Sequence, residues 1–179
     1  SHGKEKLKAD VPDIYKASFY FNPLVDVPGT KEEREQYPVS YIPNKWPTTS
    51  LPPLEPAAKR LGSLMKDVSV HVAKHIDAYA HQQNPNYAPT TLYDALKDTI
   101  KAKGRLLYYY PLPETSGAKS EDSWIGWHND SGFLTCLPGD LYMDPTTGQA
   151  VESPPPDAGL YVVNRSDQVL QVKIPQDCM

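Results

Sequence analysis

Gly104-Arg105-Leu106-Leu107-Tyr108-Tyr109-Tyr110-Pro111 is the stretch at which the chain changes character. Its apolar and aromatic residues suit a pleated, half-buried surface, and Pro111 ends the run because proline cannot donate to a ladder. The pattern predicts a strand from Arg105 to Pro111. Short β-type runs follow at Trp124 to Trp127, Phe133 to Leu137, Gly159 to Val163 and Val169 to Ile174. Turn chemistry separates them at Pro113, Ser131-Gly132, Pro138-Gly139, Thr147-Gly148 and Pro154 to Asp157. Asn164 to Gln168 reads as a hairpin turn between the last two.

Upstream the periodicity is helical. Leu61, Leu64, Met65, Val68, Val72, Ile76 and Tyr79 recur at three- and four-residue steps, which predicts a helix from Pro56 to about Gln82. Thr91-Leu92-Tyr93-Asp94 signals a second helix, with Thr91 as cap, Leu92, Leu96 and Ile100 on its apolar side and Gly104 as its stop. Residues 1–54 read as mostly irregular. Ala17 to Phe21 is β-prone there, and Lys31-Glu32-Glu33-Arg34-Glu35 reads as a solvated turn or short helix. Helices followed by a series of short strands predict an α+β fold, with helices packed on one side of an antiparallel sandwich or jelly roll. One structural domain is expected, in three parts: an irregular segment 1–54, a helical support region 55–103 and a core 104–179.

The chain has 179 residues, 39% of them hydrophobic and 22% charged, with a net charge of −4. A chain of this length can bury a core. A nucleic-acid partner is not expected, because no basic stripe is present to neutralise phosphates. No apolar run nears the roughly 18 residues of a membrane span, and Ser1-His2-Gly3-Lys4-Glu5 is no secretory signal. Ser1 and His2 read as possible remnants of a cleaved tag. Two cysteines, Cys136 and Cys178, do not make a disulfide framework, so a reducing, cytoplasmic setting is expected. Nineteen prolines in 179 residues are about twice the usual share and suit extended connections better than a helix bundle.

The chemical signal lies in Ser123-Trp124-Ile125-Gly126-Trp127-His128-Asn129-Asp130-Ser131-Gly132. On a strand, alternate side chains share a face, so His128 and Asp130 are expected to present a nitrogen and a carboxylate oxygen to one ion. That is two-thirds of the facial triad of non-haem Fe(II) oxygenases. Trp127 and Asn129 point the other way and read as core or support. His-x-Asp alone arises often by chance, and the chain holds a decoy in His75-Ile76-Asp77. On a helix, residues two apart point about 200° from each other, so His75 is expected to pack on the apolar stripe with Asp77 opposite. His71 and His75, one turn apart, could bind a metal together, but no third donor is in view. Cys136 reads as a buried, inert thiol, and the acidic stretch Glu114 to Asp122 as a solvated loop.

The stretch from Gly104 to Leu137 resembles the isopenicillin-N-synthase-like, or plant-type, branch of the Fe(II)/2-oxoglutarate-dependent oxygenases. The resemblance rests on Tyr109-Tyr110-Pro111, a variable loop, then Trp127-His128-Asn129-Asp130-Ser131-Gly132-Phe133-Leu134-Thr135. Ser18 to Leu24 and the long helix sit where such proteins carry N-terminal elements. The resemblance implies an incomplete double-stranded β-helix, or jelly roll, with N-terminal helices packed against it. It implies Fe(II) on His128 and Asp130, with 2-oxoglutarate and O₂ as cosubstrates and a small organic molecule as substrate. It also implies contact between 2-oxoglutarate and Tyr110. Tyr108 replaces a residue that is often Asn, and could line the same wall from the same strand face. Arg105, on the opposite face, reads as a surface residue.

Two family elements are not found downstream. No histidine follows His128, and Arg165 is followed directly by Ser166 where Arg-x-Ser is expected. The expectation is a fragment of a longer oxygenase, itself a poor enzyme, with neither substrate nor oligomeric state specified. The alternative is a catalytically inactive jelly-roll binding module, or a degenerate oxygenase relative. A zinc hydrolase using the same pair is weakest, because no further donor or base accompanies it.

Overall fold

The structure, a computed structural model, describes residues 16–111, 127–175 and 178–179. It forms two compact units, Ser1–Phe133 and Leu134–Met179. In the first, β1 (Lys16–Phe21) pairs antiparallel with β2 (Gly104–Tyr109), in a register that sets Ser18 opposite Leu107 and Phe21 opposite Gly104. A Cβ at Gly104 would stand 2.6 Å from the Phe21 ring, so this glycine permits close cross-strand approach. It does not stop a helix as its spacing suggested.

Between these strands run α1 (Lys31–Gln36), α2 (Leu54–Gln83) and α3 (Thr91–Lys97). A capping box opens α1: the Thr30 hydroxyl accepts from the Glu33 amide and the Glu33 carboxylate accepts from the Thr30 amide. The 30-residue α2 begins among prolines, which a first helical turn tolerates. Three expectations for the helices need correction. The second helix ends at Lys97, and the Ile100 carbonyl accepts from Asn22 Nδ2 at 2.7 Å instead of continuing the helix. The inward positions of α2 are Ala58, Ala73 and Asp77, whereas Leu61, Leu64, Val72, Ile76 and Tyr79 are exposed. His75 is correspondingly exposed and Asp77 fully buried, the reverse of the expected arrangement. The apolar stripe shows that a face is water-averse, but α3 packs on the smaller-residue side, where helices approach closely.

Asp77 explains why that side wins. Its carboxylate accepts from the Leu92 and Tyr93 amides at 2.9 and 2.8 Å and from the Tyr87 hydroxyl at 2.6 Å. Those amides are orphan donors of the first turn of α3, so Asp77 caps one helix from another. Thr91, expected as the cap, is already helical; the Thr90 hydroxyl turns to Asp94 at 2.7 Å.

The second unit holds an antiparallel hairpin of β3 (Leu160–Val163) and β4 (Val169–Val172). The expected turn at Asn164 to Gln168 is present: Asn164 N donates to Gln168 O at 3.0 Å, and Asp167 adopts φ 56°. Phe133 to Leu137, expected as a strand, forms none. The expected strand at Trp124 to Trp127 lies outside the described residues except for Trp127, and the acidic stretch Glu114 to Asp122 lies wholly outside them. The described residues thus form two separate two-stranded sheets and show no barrel or jelly roll. β1, from the segment 1–54, pairs with β2, from the segment 104–179.

Candidate metal centre

His128 and Asp130 follow a bend at Trp127 and precede another at Ser131 to Phe133. They stand on irregular backbone where a strand was expected. Even so, their side chains turn together: His128 Nε2 lies 3.3 Å from Asp130 Oδ1. Two donors each about 2.1 Å from one ion and at right angles would stand about 3 Å apart, so this separation suits two adjacent ligand positions. It also suits an imidazolium–carboxylate contact. At 56% and 54% side-chain exposure, such a contact by itself would contribute little stability.

Tyr108, in β2, and Tyr110, just beyond it, share a face as the alternation predicts. Their rings meet edge to face with centroids 4.9 Å apart, and both are exposed. The structure brings His128 to Asp130 and Tyr108 to Tyr110. The segment joining these pairs, 112–126, lies outside the described residues. No group of three or more His, Cys, Asp or Glu side chains is placed to hold a metal among the described residues. Among the described residues, no further His, Cys, Asp or Glu side chain joins His128 and Asp130 in such a group.

The neighbours correct three readings. Trp127, expected in a support role, is 64% exposed. Arg105 is not a surface residue: it is half-buried, donating to Ser18 Oγ at 2.8 and 3.2 Å and lying 5.0 Å over the Tyr20 ring. Cys136 is half-buried.

The strongest polar constellation was missed by the sequence reading. Asn22, nearly buried, accepts from the Leu24 and Val25 amides, the Asx turn that Asn22-Pro23 could have signalled. Its amide donates to Asn44 Oδ1 at 2.7 Å, and Asn44 returns a bond to its carbonyl at 2.7 Å. Asp26 accepts from Asn44 Nδ2 at 3.0 Å, Trp46 Nε1 at 2.8 Å and Lys59 Nζ at 2.5 Å. The Lys59 bond, followed by those from Trp46 and Asn44, holds the Asp26 carboxyl down to about 2. Phe19, Phe21 and Trp46 stack beside it with centroids 5.3–5.9 Å apart. The polar groups of this cluster bond chiefly to one another, which makes it a structural clasp.

No family model, curated protein or solved structure matches this chain. The functional reading therefore rests on the residues themselves. No helix among the described residues is long and apolar enough to cross a membrane.

Proposed function

We propose that the protein is a non-haem Fe(II)/2-oxoglutarate-dependent oxygenase acting on a small organic substrate, with His128 and Asp130 as two of its iron ligands. The observation that carries this reading is the 3.3 Å approach of Nε2 to Oδ1 across a single intervening residue. When bound, the iron with 2-oxoglutarate and O₂ supplies the oxidising chemistry, hydroxylating or otherwise oxidising the substrate while the cosubstrate is converted to succinate and CO₂. The chain contributes binding and orientation. His128 would offer an imidazole nitrogen to the ion and Asp130 a carboxylate oxygen. With these residues as ligands, the ion would keep positions for the cosubstrate. Tyr110 and Tyr108 supply phenols able to donate to a carboxylate of 2-oxoglutarate, and their edge-to-face contact restrains both rings. Arg165 has no assigned part, since it stands in the β3–β4 turn. The reading requires a third donor, which no described residue supplies.

On this reading the protein is an incomplete double-stranded β-helix and is cytoplasmic, in keeping with Cys136 and Cys178 forming no disulfide. The test is Fe(II) content and succinate formation in anaerobically purified protein carrying this chain. His128→Ala is expected to lower turnover by more than the roughly 10–100-fold typical of losing an outer-shell partner. Undiminished succinate formation in that variant would sink the assignment. Stoichiometric iron without succinate would instead favour the non-catalytic jelly-roll relative.

A further inference from the structure

The inward placement of Ala73 and Asp77 fixes where two other residues stand. Positions two before each of them lie on the opposite side of the helix, and these are His71 and His75. Both imidazoles are exposed. They are one turn apart near the middle of a 30-residue helix, where Cβ atoms at this spacing stand about 5–6 Å apart on one face. This is the spacing at which a helix presents two imidazoles to one metal ion.

The ring environments add to the spacing. His71 Nδ1 lies 2.7 Å from the Asp67 carbonyl, one turn back. A carbonyl can only accept, so Nδ1 carries the proton and the Nε2 lone pair is left for a ligand. Metal-binding histidines commonly use this outer-shell arrangement to fix tautomer and ring direction. The His75 ring has no hydrogen-bond or ion-pair partner among the described residues. Lys74, the nearest cation in sequence, is turned to α3 with Nζ 4.8 Å over the Tyr93 ring, so its charge is directed away from the pair.

We propose that His71 and His75 form a bidentate surface site for a late first-row divalent ion, of which Zn(II) is the probe, with solvent completing the coordination. Imidazole nitrogens suit these ions, whereas Mg(II) and Ca(II) prefer oxygen. The site is separate from the His128–Asp130 pair and does not depend on its assignment. An ion held there bridges two turns of α2 in the folded state alone and therefore stabilises it by mass action.

The test is the thermal midpoint of the full chain with and without Zn(II), with equilibrium dialysis to count bound ions. Zn(II) at about a hundredfold over its dissociation constant is expected to raise Tm by roughly 5 °C or more. His71→Ala and His75→Ala, both exposed positions, are expected to keep the metal-free midpoint and helix signal while losing the rise. His128→Ala is expected to retain it. No rise in the parent, a rise that survives in both helix variants, or a rise lost in His128→Ala would each overturn the proposal. Mg(II) at equal concentration is expected to give no shift, and an equal shift would count against imidazole coordination.

Discussion

Asp26 and Asp77 are both carboxylates surrounded by donors, and their surroundings give them different consequences. With its folded value held at about 2, Asp26 stabilises the fold in its ionised form, so its contribution is complete above the ordinary 3.8 and fades as pH falls through 4 toward 2. Its side chain is 44% exposed, so solvent screening reduces that contribution to about 1 kcal/mol. Asp26→Asn is accordingly expected to lower urea-unfolding stability by that amount at pH 7, with the gap closing below pH 4. A gap of the same size at pH 3 would show that the lost contacts, and not the charge, carry the effect. For Asp77, burial pushes the carboxyl up, but the Tyr87 hydroxyl and the Tyr93 and Leu92 amides outweigh it and hold it below its ordinary value. Asp77→Ala strands those amides and is expected to lower Tm on the order of 5 °C, with part of the helical signal lost from α3. Neither role was legible in the sequence. An acidic residue inside a helix reads as solvated until a partner helix is known to start against it, and nothing local to Asp77 announces Leu92 and Tyr93.

At the level of elements, periodicity sufficed for existence and failed for direction. The stripe from Leu61 to Tyr79 located α2 to within two residues at its start and one at its end. It did not locate the packing face, because small residues mark close approach more faithfully than large apolar ones. Gly62 shows this: a Cβ there would collide with the Pro23 side chain, although the position is helical. In isolation, Gly→Ala within a helix stabilises by about 1 kcal/mol. Gly62→Ala is nonetheless expected to destabilise the chain by about 1 kcal/mol or more in denaturant titration, since overpacking exceeds the propensity gain. A stabilised variant would mean that Pro23 moves aside at little cost. The strand at Ala17 to Phe21 and the hairpin turn at Asn164 to Gln168 were legible from β-propensity and turn chemistry. The absence of a strand at Phe133 to Leu137 was not legible, because β-propensity reads one segment and a ladder needs two.

For the whole molecule, the buried hydrophobic residues among those described are Tyr41, Ala58 and Ala73, while Leu64, Val72, Ile76 and Tyr79 lie open along one side of α2. An apolar surface of that kind is expected to bind a dye such as ANS. Leu64→Lys with Ile76→Lys is expected to weaken the fluorescence without loss of helix signal; unchanged fluorescence would place the apolar surface elsewhere. The convergence of His128 and Asp130 was legible in the sequence, but it comes by way of bends and not by strand alternation. The pairing of β1 with β2 carries a last consequence. Arg105 meets Ser18 across 87 residues of sequence, whereas Asp77 meets Leu92 across 15. Closing the longer loop costs more chain entropy, so the helical pair can assemble while the first strand is still searching for its neighbour. The N-terminal strand is thus a late arrival in folding, and amide exchange is expected to show α2 and α3 protected before Lys16 to Phe21.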